Sequence, residues 1–104
     1  MADKKHLGGL KKMNKTPFIT KEQVEEIVKT YPTPFHIYDE KGFMDNAKKV
    51  NEAFSWNKGF REYFAVKATP NPFIIQKLKE VGCGVDCSSD TELMIADKLG
   101  FRND

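Results

Sequence analysis

Between Phe60 and Ala68 the chain reads FREYFAVKA, which sets aromatic and branched residues on both faces of an extended segment. A strand that is apolar on both faces belongs to a parallel sheet, where helices cover the outside and packed side chains fill the inside. The neighbouring sequence supplies such helices. Asn71 is a candidate N-cap and Pro72 suits the first helical position. Phe73, Ile74, Ile75 and Leu78 then give an apolar face that runs up to Val81 and Gly82. CGVDCS follows as a second short strand. Ser89 with Glu92 three residues later forms a capping box, opening a helix through Leu93, Ile95, Ala96 and Leu99 that stops at Gly100. Strand, helix, strand, helix within about forty residues is the alternation of a parallel α/β fold.

Upstream, Thr20 and Gln23 form another capping box, and Val24, Ile27, Val28 and Tyr31 recur at helical spacing. Pro32 and Pro34 end that helix, because proline lacks the N–H and biases its predecessor to extended geometry. FHIYD (Phe35 to Asp39) reads as a short strand. Phe43, Met44, Ala47, Val50 and Phe54 predict a second helix from about Lys41 to Phe54, with SWNKG as the turn after it.

The 104 residues suffice for one small domain, and 39% hydrophobic with 31% charged residues is a soluble globular composition. No apolar run approaches the roughly 20 residues that cross a bilayer, and the start lacks the apolar region of a signal peptide, so a cytoplasmic location without membrane contact is expected. The net charge of +2 is unevenly spread. Lys4, Lys5, Lys11, Lys12 and Lys15 face only Asp3 in the lead, which leaves the remainder mildly acidic and without an electrostatic footprint for nucleic acid. Residues 1–15 read as a disordered basic lead, 16–39 as a leading helix and strand, and 40–104 as the first strand–helix units. Cys83 and Cys87, with His6 and His36 far away in sequence, complete no zinc pattern and read as reduced thiols; no metal site is expected.

Lys67 stands out because it lies inside YFAVKAT, near the C-terminal end of the first strand. In parallel α/β proteins the loops after the strands surround a crevice at that end, and sites collect there. A lysine desolvated in such a place is held more often as the neutral amine, able to attack a carbonyl and form a Schiff base. The alternative is a snorkelling lysine whose stem packs on apolar neighbours while its head reaches water.

The run YFAVKATPNPFIIQKLKEVGCGVDCSSDTEL resembles the lysine-containing signature of the fold-type III pyridoxal-phosphate decarboxylases, which act on diaminopimelate, ornithine, arginine and carboxynorspermidine. YPTPFHIYDE is similar to a strand segment near the start of bacterial diaminopimelate decarboxylases, so the resemblance covers about residues 16–104. It implies the N-terminal portion of an alanine-racemase-like (β/α)8 TIM barrel, a fold of ~250 residues and so incomplete in this chain, with the Phe35 to Tyr38 strand joining a C-terminal β-domain that these residues do not include. It also implies that Lys67 carries pyridoxal 5'-phosphate, that Ala65 lines the cofactor face, and that Asp86 and Glu92 stand near the lysine. Asp86 also fits a strand-end aspartate capping backbone N–H groups, and the Ser89 capping box already accounts for Glu92 locally. Family members commonly carry asparagine where this chain has Thr69, which can still donate and accept a hydrogen bond.

The expected activity is decarboxylation of a small amino acid, meso-2,6-diaminopimelate giving L-lysine and CO2, by a protein that is a homodimer when complete. This chain is expected to be an N-terminal fragment without activity alone. Ornithine, arginine or carboxynorspermidine as substrate, and a non-catalytic binding or regulatory module on the same fold, are the alternatives. Racemase relatives follow their lysine with a loop of the type N-A-Y-G-H-G, against Ala68-Thr69-Pro70-Asn71-Pro72 here, so the decarboxylase branch fits better.

Overall fold

The computed structural model describes residues 15–102, so most of the basic lead expected at 1–15 lies outside the described residues. The chain divides into two compact units, Met1–Ile37 and Tyr38–Asp104.

In the first unit, helix α1 spans Lys21–Val28. The anticipated capping box is formed: Thr20 Oγ1 accepts from the Gln23 N–H at 3.2 Å, and Gln23 Oε1 accepts from the Thr20 N–H at 2.8 Å. Both partners satisfy donors that the first turn leaves without intrahelical acceptors. The helix is shorter than its apolar period, ending before Tyr31, and it buries none of its residues. Phe35 to Asp39, expected as a strand, forms no ladder among the described residues, and without a ladder an extended stretch is not a strand; the partner that the resemblance implies for it is a C-terminal β-domain.

The second unit opens with α2, Glu40–Ala53, within one residue of the sequence-based bounds. Asp39 caps it, its Oδ1 accepting from the Gly42 N–H at 2.9 Å. Strand β1 (Tyr63–Ala65) pairs in parallel with β2 (Gly84–Asp86), in the register Tyr63 to Gly84, Phe64 to Val85 and Ala65 to Asp86. Helix α3 (Pro72–Glu80) connects them and α4 (Asp90–Lys98) follows, so the β-α-β-α order stands. Asn71 caps α3 through an N–H of Phe73 at 3.0 Å, with Pro72 in the first turn as expected.

The core lies between α2, α3 and the sheet. Ala47 of α2, Ile74 and Leu78 of α3, and Cys83 are buried together, with Phe43, Phe64 and Val81 packed against them. Ile75 and Val66 are fully buried. Polar ties fasten the helices at their ends. Asn51 Nδ2 donates to the Val81 carbonyl at 2.9 Å, and the Lys79 ammonium donates to the carbonyls of Leu99 and Gly100 at 2.8 and 3.1 Å. A cation there satisfies the carbonyls that the end of α4 leaves over and complements its dipole. Gly82 and Gly100 close α3 and α4 at φ of +92° and +77°, which favours residues without a Cβ.

Candidate functional site

The strand that carries the candidate lysine is shorter than its sequence pattern. β1 stops at Ala65, and Val66–Ala68 form a single 3-10 turn in which the Thr69 N–H donates to the Val66 carbonyl at 3.1 Å. Pro70 follows and has no N–H to continue a ladder. Val66 takes the core-facing position and is fully buried, while Lys67 is exposed. The desolvated lysine anticipated from the strand pattern is thus not formed by the described residues.

Ala65, the last residue of β1, is half-buried and stands in register with Asp86, the exposed last residue of β2. Glu92 lies in the first turn of α4, is only 8% exposed, and forms only half of the expected capping box, its carboxylate turning to hydroxyls in place of the Ser89 backbone N–H. Its N–H donates to Ser89 Oγ at 3.2 Å. Its carboxylate Oε2 accepts from the hydroxyls of Ser88 and Ser89 at 2.9 and 2.7 Å. Oε1 is buried and has no hydrogen-bond partner among the described residues. The Ser89 hydroxyl, against the opposing effect of burial and with the help of Ser88, holds the Glu92 carboxyl below the usual carboxylate range. The backbone N–H groups of Ser88 and Lys67 favour the charged form as well. Glu92 therefore lies beside the turn that carries Lys67. Ser88 is a member of this group that sequence reasoning missed, since the capping rule anticipates only Ser89.

The four residues named from the sequence thus gather where β1 and β2 end and α4 begins. Thr69 does not face the same way: it lines an apolar cleft of about 290 Å³ with Phe43, Phe64, Ile74 and Leu78, on the helix side of β1. A larger hollow of about 500 Å³ runs along β2 and takes in Asp86, Tyr63 and Gly84, bounded by Leu93 of α4. Cys83 and Cys87 are both free, the first buried and the second half-buried, and burial raises both thiols above their ordinary pKa. Among the described residues no three His, Cys, Asp or Glu side chains gather as a metal site, and no helix is long and apolar enough to cross a membrane.

Comparison with known proteins agrees with the resemblance carried by the Lys67 run. Residues 41–104 match the family described as "Pyridoxal-dependent decarboxylase, pyridoxal binding domain". The chain is 51% identical over 81 residues to Protein TabA of Pseudomonas amygdali pv. tabaci, an alignment covering 78% of this chain and 19% of that protein. It is 37% identical over 78 residues to the diaminopimelate decarboxylase of Helicobacter pylori strain J99, covering 75% and 19% of the two chains. It is 34% identical over 73 residues to that of Bacteroides thetaiotaomicron, covering 70% and 19%. The chain thus spans about a fifth of the length of these relatives (19% of each). No solved structure matches. The chain belongs to the pyridoxal-dependent decarboxylase family, through residues 41–104 of its pyridoxal-binding domain.

Proposed function

We propose that this chain is the lysine-bearing part of a pyridoxal-phosphate-dependent decarboxylase whose substrate is meso-2,6-diaminopimelate, with CO2 and L-lysine as products. The observation that carries the reading is the match of residues 41–104 to the pyridoxal-binding domain, a stretch that holds Lys67 just after β1 and Asp86 at the end of the neighbouring strand. These residues fit a flat aldehyde cofactor. The amine is accessible, and Ala65 offers a methyl group where a larger side chain would obstruct a ring.

When bound, pyridoxal phosphate supplies an electron sink for the bond to the departing carboxyl group. The roles of this chain's residues follow from their chemistry. Lys67 Nζ would hold the cofactor through its aldehyde carbon and, when released, would be placed to hold or move a proton. Asp86, which ends the neighbouring strand, is the acidic residue that the resemblance sets near that nitrogen. Glu92, kept ionised by Ser89 and Ser88, fixes the start of α4 beside the Lys67 turn.

In the complete protein, this reading takes β1, α3, β2 and α4 as the first units of a (β/α)8 barrel. Residues 1–15 are a lead outside it and 16–39 belong to the approach to it. The complete protein is read as a cytoplasmic homodimer acting on a small amino acid, without nucleic-acid or membrane partners. Diaminopimelate is preferred because relatives at 34% and 37% identity bear that enzyme's name. Protein TabA, at 51% identity, bears a name that carries no substrate, and ornithine, arginine or carboxynorspermidine is the second reading.

The test is release of CO2 by the complete protein with pyridoxal phosphate and, in turn, meso-diaminopimelate, ornithine, arginine and carboxynorspermidine. Turnover of the first, lost in Lys67→Ala, supports the proposal; turnover of another moves the substrate, and turnover of none by cofactor-loaded protein rejects the enzyme. The 104-residue chain alone is expected to be inactive.

A further inference from the structure

In the parallel register Gly84 stands beside Tyr63, as Asp86 stands beside Ala65. Gly84 is buried although Tyr63 is 55% exposed. The cover is the tyrosine ring itself. A Cβ added at Gly84 would meet Cδ1 and Cε1 of Tyr63 at 2.7 Å, well inside the separation of touching carbons. The Arg61 guanidinium carbon lies 5.6 Å from the centroid of the same ring, within cation–π range. The side-chain period of two puts Tyr63 and Ala65 on one face of β1, with Gly84 and Asp86 alongside them. That face has two unlike halves. Its N-terminal half is closed by an aromatic ring lying over a glycine. Its C-terminal half carries a methyl group and a carboxylate, and Lys67 lies two residues beyond Ala65, in the turn after β1.

We propose that Tyr63 is a positioning residue for the planar ligand of Lys67: its ring occupies the N-terminal half of the face, so that a pyridine ring held on the amine comes to rest over Ala65 and Asp86. The inference rests on the reading of Lys67 as the cofactor lysine and adds to it a reason for glycine at position 84. Only without a Cβ there can Tyr63 lie down. A methyl group at 84 forces the ring to move off the N-terminal half of the face, next to the space assigned to the ligand.

The experiment compares the complete wild-type protein with Gly84→Ala, Tyr63→Ala and the double variant. It measures the affinity for pyridoxal phosphate, the visible circular dichroism of the bound cofactor, and the thermal midpoint of each apoprotein. Gly84→Ala is expected to weaken cofactor binding about tenfold and to change the visible dichroism, whereas in the Tyr63→Ala background the same substitution is expected to have little effect, the signature of a coupled pair. Equal affinity and dichroism in wild type and both single variants would overturn the positioning role, whatever the thermal midpoints do. So would equal losses from Gly84→Ala with and without the tyrosine. A wild-type protein that takes up no cofactor overturns the lysine assignment as well, which separates the two failures.

Discussion

Replacing Ile75 with alanine should destabilise the second unit by about 3 kcal/mol, starting from a side chain that is 0% exposed. Three carbons leave the interior, and at about 0.8 kcal/mol each their lost burial comes to about 2.4 kcal/mol. The cavity left behind adds to this, within the roughly 2–5 kcal/mol found for such truncations. Ile75 belongs to α3, the connection between β1 and β2, so the loss falls on the element that holds the two strand ends together. Urea unfolding of the 104-residue chain, followed by far-ultraviolet circular dichroism, reads the effect. Tryptophan fluorescence would serve poorly, because Trp56 is already 77% exposed when folded. Leu93→Ala is the comparison: at 57% exposure it should cost no more than about 0.5 kcal/mol. A loss below about 1 kcal/mol for Ile75→Ala, or one no larger than for Leu93→Ala, would refute the packing described for α3.

Two further outcomes test the polar ties. Lys79→Met keeps the apolar stem but removes the ammonium from the Leu99 and Gly100 carbonyls and from its place 5.1 Å from the Phe101 ring centroid. It should lower stability by about 1–2 kcal/mol in the same titration, and an unchanged midpoint would contradict it. Glu92 has a folded pKa below its ordinary value, so folding favours its charged form. Its contribution is present above the ordinary carboxylate range and lost as pH falls through the lowered pKa. The stability difference between wild type and Glu92→Gln should therefore hold near neutral pH and shrink below about pH 4; a difference constant throughout acid titration would count against the Ser88–Ser89 setting.

The local signals that were legible in the sequence are those with a short-range physical cause. The Thr20–Gln23 box and the Asn71–Pro72 start depend on groups at most three residues apart, and they form as expected. The apolar period of α3 matches the residues it buries at Ile74, Ile75 and Leu78, whereas Phe73, expected on the same face, is 57% exposed. What the pattern could not supply depends on partners distant in sequence or on backbone turns. FHIYD has strand composition, yet pairing needs a second strand that no described residue provides. FAVKA alternates like a strand, yet the chain leaves the ladder after Ala65, exposing Lys67 and burying Val66. The approach of Lys79 to the end of α4 spans twenty residues and leaves no trace in local spacing. Lys67 stands out from the strand pattern, and Ala65, Asp86 and Glu92 are named through resemblance, whereas the Ser88 bond and the Tyr63–Gly84 contact come only from the structure.

The central claim concerns one nitrogen, and borohydride reduction of the complete protein loaded with pyridoxal phosphate tests it most directly. After proteolysis and mass spectrometry, the account predicts a reduced phosphopyridoxyl group on the peptide containing Lys67, and none on that peptide in Lys67→Ala. Stoichiometric label on another lysine such as Lys77 or Lys79, with Lys67 unmodified, would contradict it.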